Sequence, residues 1–223
     1  MEQACTIPAK ARSDAYAMLA IGFGYPGEDL FQGMSDGLFA SALSAFIQRE
    51  HPELGEDLAA LAPQLIAKAQ SREEQEAEYL RVFETDLPKP PLSLYETSYS
   101  AGTSRAQLLL ELNAFYRHFG LSIDSTFREL EDSLTAELEF MQFLAAKEWK
   151  ASNGELRAEP YQLAQRDFLD RHLARWLPKM AEAASNCPSG FYRALATVAS
   201  RFVAADLDHV TNLVEEQGAS VSA

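Results

Sequence analysis

Asp132 and Glu137 are two of the four acids in a helical stretch with an apolar stripe, Glu131-Asp132-Ser133-Leu134-Thr135-Ala136-Glu137-Leu138-Glu139-Phe140-Met141. At helical period Leu134, Leu138 and Met141 share a face, Glu137 falls about 60° from Leu134, and Glu139 lies on the far side. A carboxylate at the margin of an apolar stripe needs a partner or water. Glu137 therefore either pairs internally with an arginine or accepts a cation from a ligand. Asp132 and Ser133 have the chemistry of helix caps, which does not exclude facing a groove. A second segment joins Glu78-Tyr79-Leu80-Arg81-Val82-Phe83 to Pro88-Lys89-Pro90-Pro91-Leu92-Ser93-Leu94-Tyr95. Tyr79 and Phe83 are four apart and share a helix face, and the prolines stiffen the backbone that presents Leu92, Leu94 and Tyr95. This segment frames an apolar groove of the kind that takes extended or helical peptides, or it is a core aromatic pair beneath a packed surface loop.

Other chemistries find little support. Gly22-Phe23-Gly24-Tyr25-Pro26-Gly27 matches G-x-G-x-x-G in letters, but a dinucleotide fingerprint follows a strand and opens a helix. Here a helical pattern precedes it and Pro26 interrupts the chain on its far side, so it reads as a glycine-rich helix exit. His51, His118, His172 and His209 show no metal-ligand spacing, and His118 suits the negative end of a helix dipole. No phosphate loop or nucleophile elbow occurs. Cys5 and Cys187 form neither a disulfide framework nor a metal clip, which favours a reducing compartment. No basic, apolar signal segment opens the chain, and no apolar run approaches the ~20 residues of a membrane helix. The 33 acidic residues outnumber the 19 Lys and Arg, for a net charge of −14. Such a balance opposes binding to nucleic acid and to anionic membranes. It suits solubility or a basic partner equally.

The elements that must position these residues are helical. Of the 223 residues, 47% are hydrophobic and 23% charged, an ordinary globular balance. Helical periodicity predicts helices over 13–23, with Ser13 as N-cap, and over 35–49 and 55–69. A capping box at Ser71 and Glu74 predicts the start of another. Thr85 to Gly102 reads as one long irregular segment, and loops this long are usually functional or disordered. A helix over 104–119 closes at Gly120. A stripe of Phe127, Leu130, Leu134, Leu138, Met141 and Leu144 comes next. Pro160 opens a further helix carrying Leu169, Leu173, Trp176, Leu177 and Met180. Pro188 and Ser189 open the last. With no alternating strand pattern, the expectation is an all-α, single-domain bundle of about eight helices with one long Pro-rich loop. Residues 1–12 and 215–223 are expected to be flexible ends of a domain spanning 13–214.

Jointly, the two segments resemble the TorD/DmsD family of redox-enzyme maturation proteins. The resemblance rests on Tyr79, Val82 and Phe83, then Pro90, Pro91, Ser93 and Tyr95, then Asp132 with Glu137, Leu138 and Met141 behind it, in the family's order and spacing over 78–145. There are two departures: Ser133 stands where the family has a histidine after the aspartate, and Leu92 where relatives often carry an aromatic. The resemblance implies a cytoplasmic chaperone, not an enzyme, without a cofactor of its own. Its partners would be the twin-arginine leader peptide and the catalytic subunit of a DMSO-reductase-type molybdoenzyme. Asp132 and Glu137 would face the basic part of the leader. Tyr79, Val82, Phe83, Pro91, Leu92 and Tyr95 would line its apolar part, with Ser93, Ser133 and Met141 completing the site. An acidic surface complements such a peptide. Other expectations stand beside this one: a nitrate-reductase-type chaperone of a non-exported client, a nucleotide-binding helical protein, a helical subunit of a permanent complex, and a homodimer swapped at the Thr85–Gly102 loop.

Overall fold

The computed structural model describes residues 8–66, 68–69, 71–85, 90–102, 104–122, 130–154 and 157–221. Among the described residues the chain forms ten α-helices and no strand. They are α1 (Pro8–Phe23), α2 (Glu28–Ser35), α3 (Leu38–Glu50), α4 (Gly55–Leu61), α5 (Arg72–Phe83), α6 (Arg105–His118), α7 (Leu134–Ser152), α8 (Glu159–Arg171), α9 (Leu173–Ala184) and α10 (Gly190–Val221). Short 3-10 turns lie at Pro52–Leu54, Ala62–Gln64 and Glu96–Ser98. One hydrophobic cluster runs from α1 to α10. Within it α1 packs along α7 and against α3, while α10 packs on α8 and α9.

The all-α reading holds, and several predicted helix ends are made as the sequence requires. Ser71 accepts from the Glu74 amide, Ser104 from Gln107 and Ser189 from Tyr192. Gly120 takes the left-handed conformation after α6, with φ 73°. The helix count exceeds the expected eight for two reasons. First, the short α2 fills the stretch after Gly27, which carries few apolar residues. Second, the pattern over 160–180 breaks at His172, whose φ of −122° and ψ of −96° end α8 and begin α9. The reason is tertiary, since the His172 ring is fixed against Glu96, Nδ1 to Oε2 at 3.0 Å. Ser13 is not an N-cap. Helix α1 begins at Pro8, and the Ser13 hydroxyl donates to the Gln142 carbonyl at 3.1 Å, tying α1 to α7. The last helix continues past Glu215 to Val221. Cys5, Pro88, Lys89 and Phe127 lie outside the described residues. Among the described residues, no helix is long and apolar enough to cross a membrane.

A buried polar cluster crosslinks the bundle. Arg12 on α1, 1% exposed, donates to Asp206 on α10 (2.5 Å), to Glu148 on α7 (2.9 Å) and to Gln165 on α8. The Tyr16 hydroxyl donates to Asp206 at 2.6 Å. Four helices thus meet on one guanidinium, whose five fixed donors suit such a junction.

Candidate functional site

Helix α7 begins where the Pro-rich segment crosses it. The backbone of that segment forms a short antiparallel bridge with the turn before α7: the Leu134 amide donates to Leu94 O (2.7 Å) and the Glu96 amide to Asp132 O (2.9 Å). Asp132 Oδ2 accepts from the Thr97 hydroxyl at 2.6 Å and from the Thr97 amide at 3.3 Å. Further along, the Leu92 amide donates to Val82 O at the end of α5, and Lys179 Nζ donates to Tyr99 O. The segment is therefore a strap fastened at α5, α7 and α9. Ser133 caps α7, its Oγ accepting from the Ala136 amide at 3.2 Å and lying 3.1 Å from the Thr135 hydroxyl. Replacing Ser133 by alanine is expected to cost about 1 kcal/mol of stability, read as a lower midpoint in urea unfolding.

The sequence-derived residues do converge here, but mostly inside the protein. Tyr79, Val82, Phe83 and Leu92 belong to the core, as do Met141 and the aliphatic stripe of α7. Tyr79 and Phe83 pack together at 5.0 Å between ring centres, and Phe83 packs edge-on against Tyr192. Of the reading that left groove or core open, the core half describes these side chains. Tyr95 is 36% exposed, and Pro91 and Ser93 are half-buried. Asp132 and Glu137 are both 0% exposed, so neither meets solvent in this conformation. Spacing puts Glu137 at the margin of the apolar stripe, and the structure places that margin inside the protein. Helix α7 is enclosed by α1, α8 and the strap, so its margin becomes interior.

Among the described residues, Glu137 pairs with no arginine. Its Oε2 accepts from the Trp176 indole at 3.1 Å, and its carboxyl lies beside that of Glu96. Burial, and then the nearby Glu96 and Asp132 carboxyls, raise its pKa well above the usual carboxylate range, and the indole donation opposes this only in part. Tyr99 stacks on Trp176 at 5.5 Å. Sequence reasoning missed Glu96, His172 and Trp176. The only signal for them was a histidine and a tryptophan on one predicted helical run, which spacing alone does not connect to a loop carboxylate. Among the described residues, no three His, Cys, Asp or Glu side chains group as a metal site. The geometry therefore offers a buried acidic latch under a strap, with no aligned nucleophile and base among the described residues.

Residues 48–182 match the family described as nitrate reductase delta subunit. The chain is 44% identical over 202 residues to the perchlorate reductase assembly chaperone protein of Dechloromonas aromatica, covering 90% of each chain. It is 43% identical over 115 residues to the selenate reductase assembly chaperone protein of Thauera selenatis, covering 52% of this chain and 60% of the relative. In fold it is similar to a protein from Archaeoglobus fulgidus assigned to redox enzyme maturation. That match has a TM-score of 0.51 at 20% identity, over 86% of this chain and 93% of the other. The chain belongs to the nitrate reductase delta subunit family and is, like its named relatives, an assembly chaperone rather than a catalyst.

Proposed function

We propose that this chaperone serves the catalytic subunit of a DMSO-reductase-type molybdoenzyme in the cytoplasm. It binds the subunit's twin-arginine leader, its apo form, or both, until the cofactor is inserted, and then releases it for export. The similarity to the perchlorate reductase chaperone over nine-tenths of both chains carries the reading. The net charge of −14 supports it, because a leader couples a basic stretch to an apolar one. On this reading Tyr95, Ser93 and Pro91 are the strap residues that touch the client directly. Tyr79, Val82, Phe83, Leu92, Asp132, Ser133, Glu137 and Met141 act by holding the strap and its neighbouring walls in shape.

The test is calorimetric titration with the leader of a molybdoenzyme encoded beside this protein, against a control with both arginines changed to alanine. Micromolar or tighter binding, weakened by the control sequence and by salt, is the expected result. No binding to the leader or to the apo catalytic subunit overturns the proposal. The family's description as a nitrate reductase subunit favours a second reading, a non-exported nitrate-reductase-type client. In that case the apo subunit binds and a twin-arginine leader does not. A homodimer formed by exchange at the strap would give a doubled mass in light scattering.

A further inference from the structure

Beside the strap lies an open groove of about 900 Å³ between α1, α2, α3 and α7. Its floor and walls are mainly apolar: Met18 and Ile21 from α1, Leu30 from α2, and Leu38 and Phe39 from α3. Ile21 is 49% exposed, Tyr25 54% and Leu38 65%, so three exposed large apolar side chains line one groove. Contiguous exposed apolar surface on a folded protein marks an interaction site. Three acids, Glu28, Asp29 and Glu139, stand among the lining residues; no Lys or Arg lines the groove, and Arg72 pairs with Glu28 from beside it at 3.7 Å. The groove joins the signature residues at two points. Tyr25 packs edge-on against Tyr79 at 5.4 Å, and Thr135 contacts the Ser133 cap.

We infer that this groove seats the leader itself, its apolar stretch lying between α1, α2 and α3 and its arginines meeting Glu28, Asp29 and Glu139. The inference rests on the leader-binding reading and adds the place and polarity of binding. The chemistry fits a segment that is basic at one end and apolar beyond it. Guanidinium groups favour carboxylates, and a helical or extended apolar segment buries its side chains in a groove of this kind. A second copy of the chain is the poorer occupant, because both copies carry −14 and repel. The arrangement also accounts for the buried signature. Tyr79 and Ser133 support wall residues, Tyr25 and Thr135, and so shape the groove without entering it.

Gly33 provides a test that spares the fold. It lies on α2 at the groove wall, and a Cβ added there meets nothing within 4 Å. Gly33→Phe would project a ring from the groove wall starting from a Cβ that meets no neighbour, and it replaces a poor helix former. The probe is the same twin-arginine leader peptide, titrated into wild type, Gly33→Phe, Asp29→Lys/Glu139→Lys, and Leu110→Ser as a control outside the groove. The expected result is a loss of roughly tenfold or more in affinity for the first two variants, with melting temperatures at or above wild type for Gly33→Phe. The control should bind as wild type does. The charge-reversed variant should also lose most of the salt dependence. Wild-type binding with Gly33→Phe within about twofold overturns the groove while leaving the leader reading intact. Absence of wild-type binding overturns the leader reading. A groove variant that alters self-association but not peptide affinity assigns the surface to a second copy and overturns the inference.

Discussion

Asp206→Ala is expected to destabilise the protein by about 3–5 kcal/mol, because it strands Arg12 as a buried, half-compensated cation. The guanidinium lies on the axis where α1, α7, α8 and α10 meet, and Asp206 accepts from both its Nε and the Tyr16 hydroxyl. Burial would by itself raise the Asp206 pKa. The Arg12 charge, the His51 ring 3.5 Å away and the donations from Arg12 and Tyr16 override it and hold the carboxyl well below its usual value. On acidification the unfolded chain binds a proton at Asp206 before the folded one does, so this stabilisation is complete above the ordinary aspartate pKa. It is lost as pH falls from there through the depressed folded value. Thermal unfolding at neutral pH should show a melting temperature lower by roughly 10 °C or more, and the variant should lack the wild type's steep loss of stability in acid. A shift of only a degree or two would mean that Glu148 and Gln165 suffice to hold Arg12, and the crosslink would be incidental.

The sequence made helices legible wherever the local chemistry was self-sufficient. The caps at Ser71, Ser104 and Ser189, the left-handed Gly120 and the aliphatic stripe of α7 all depend on neighbours within a turn or two. What spacing could not show was set by distant contacts. The break at His172 comes from a carboxyl 76 residues earlier. Ser13 has a capping side chain but bonds across to α7, because α1 starts a turn earlier at Pro8. For the candidate site, the two segments singled out in sequence do adjoin, and their depth is what spacing does not show. Helical wheel geometry places Glu137 at the edge of a stripe, and only the strap lying across α7 turns that edge into interior. The groove was also invisible in sequence. Its walls come from α1 to α3 and from α7, distant in sequence, and one of them, α2, carries too few apolar residues for periodicity to predict a helix over 28–34.

The paired variants Glu137→Gln and Glu137→Ala separate the two roles of this buried acid. With its pKa raised by burial and by the Glu96 and Asp132 carboxyls, Glu137 keeps its proton in the folded protein at pH values where the unfolded chain has released it. Folding therefore takes up a proton, and wild-type stability falls as pH rises from the ordinary glutamate value near ~4.3 until the folded carboxyl itself ionises. Glutamine stays neutral and retains an oxygen to accept from the Trp176 indole, so it should remove that part of the pH slope. Its stability relative to wild type should be greater at pH 8 than at pH 5 in urea unfolding. Alanine instead leaves the Trp176 N–H, buried in the core, without its acceptor and opens a cavity, at an expected cost of about 2–4 kcal/mol. A difference between Gln and wild type that stays constant with pH would show that Glu137 is ionised when folded. The charge would then sit with Glu96 and Asp132 directly under the strap, where like charges repel and loosen its attachment to α7. Three carboxyls converge there with His172 against Glu96 and no arginine among the described residues, and a proton on Glu137 lets the strap pack over the other two without a third buried charge.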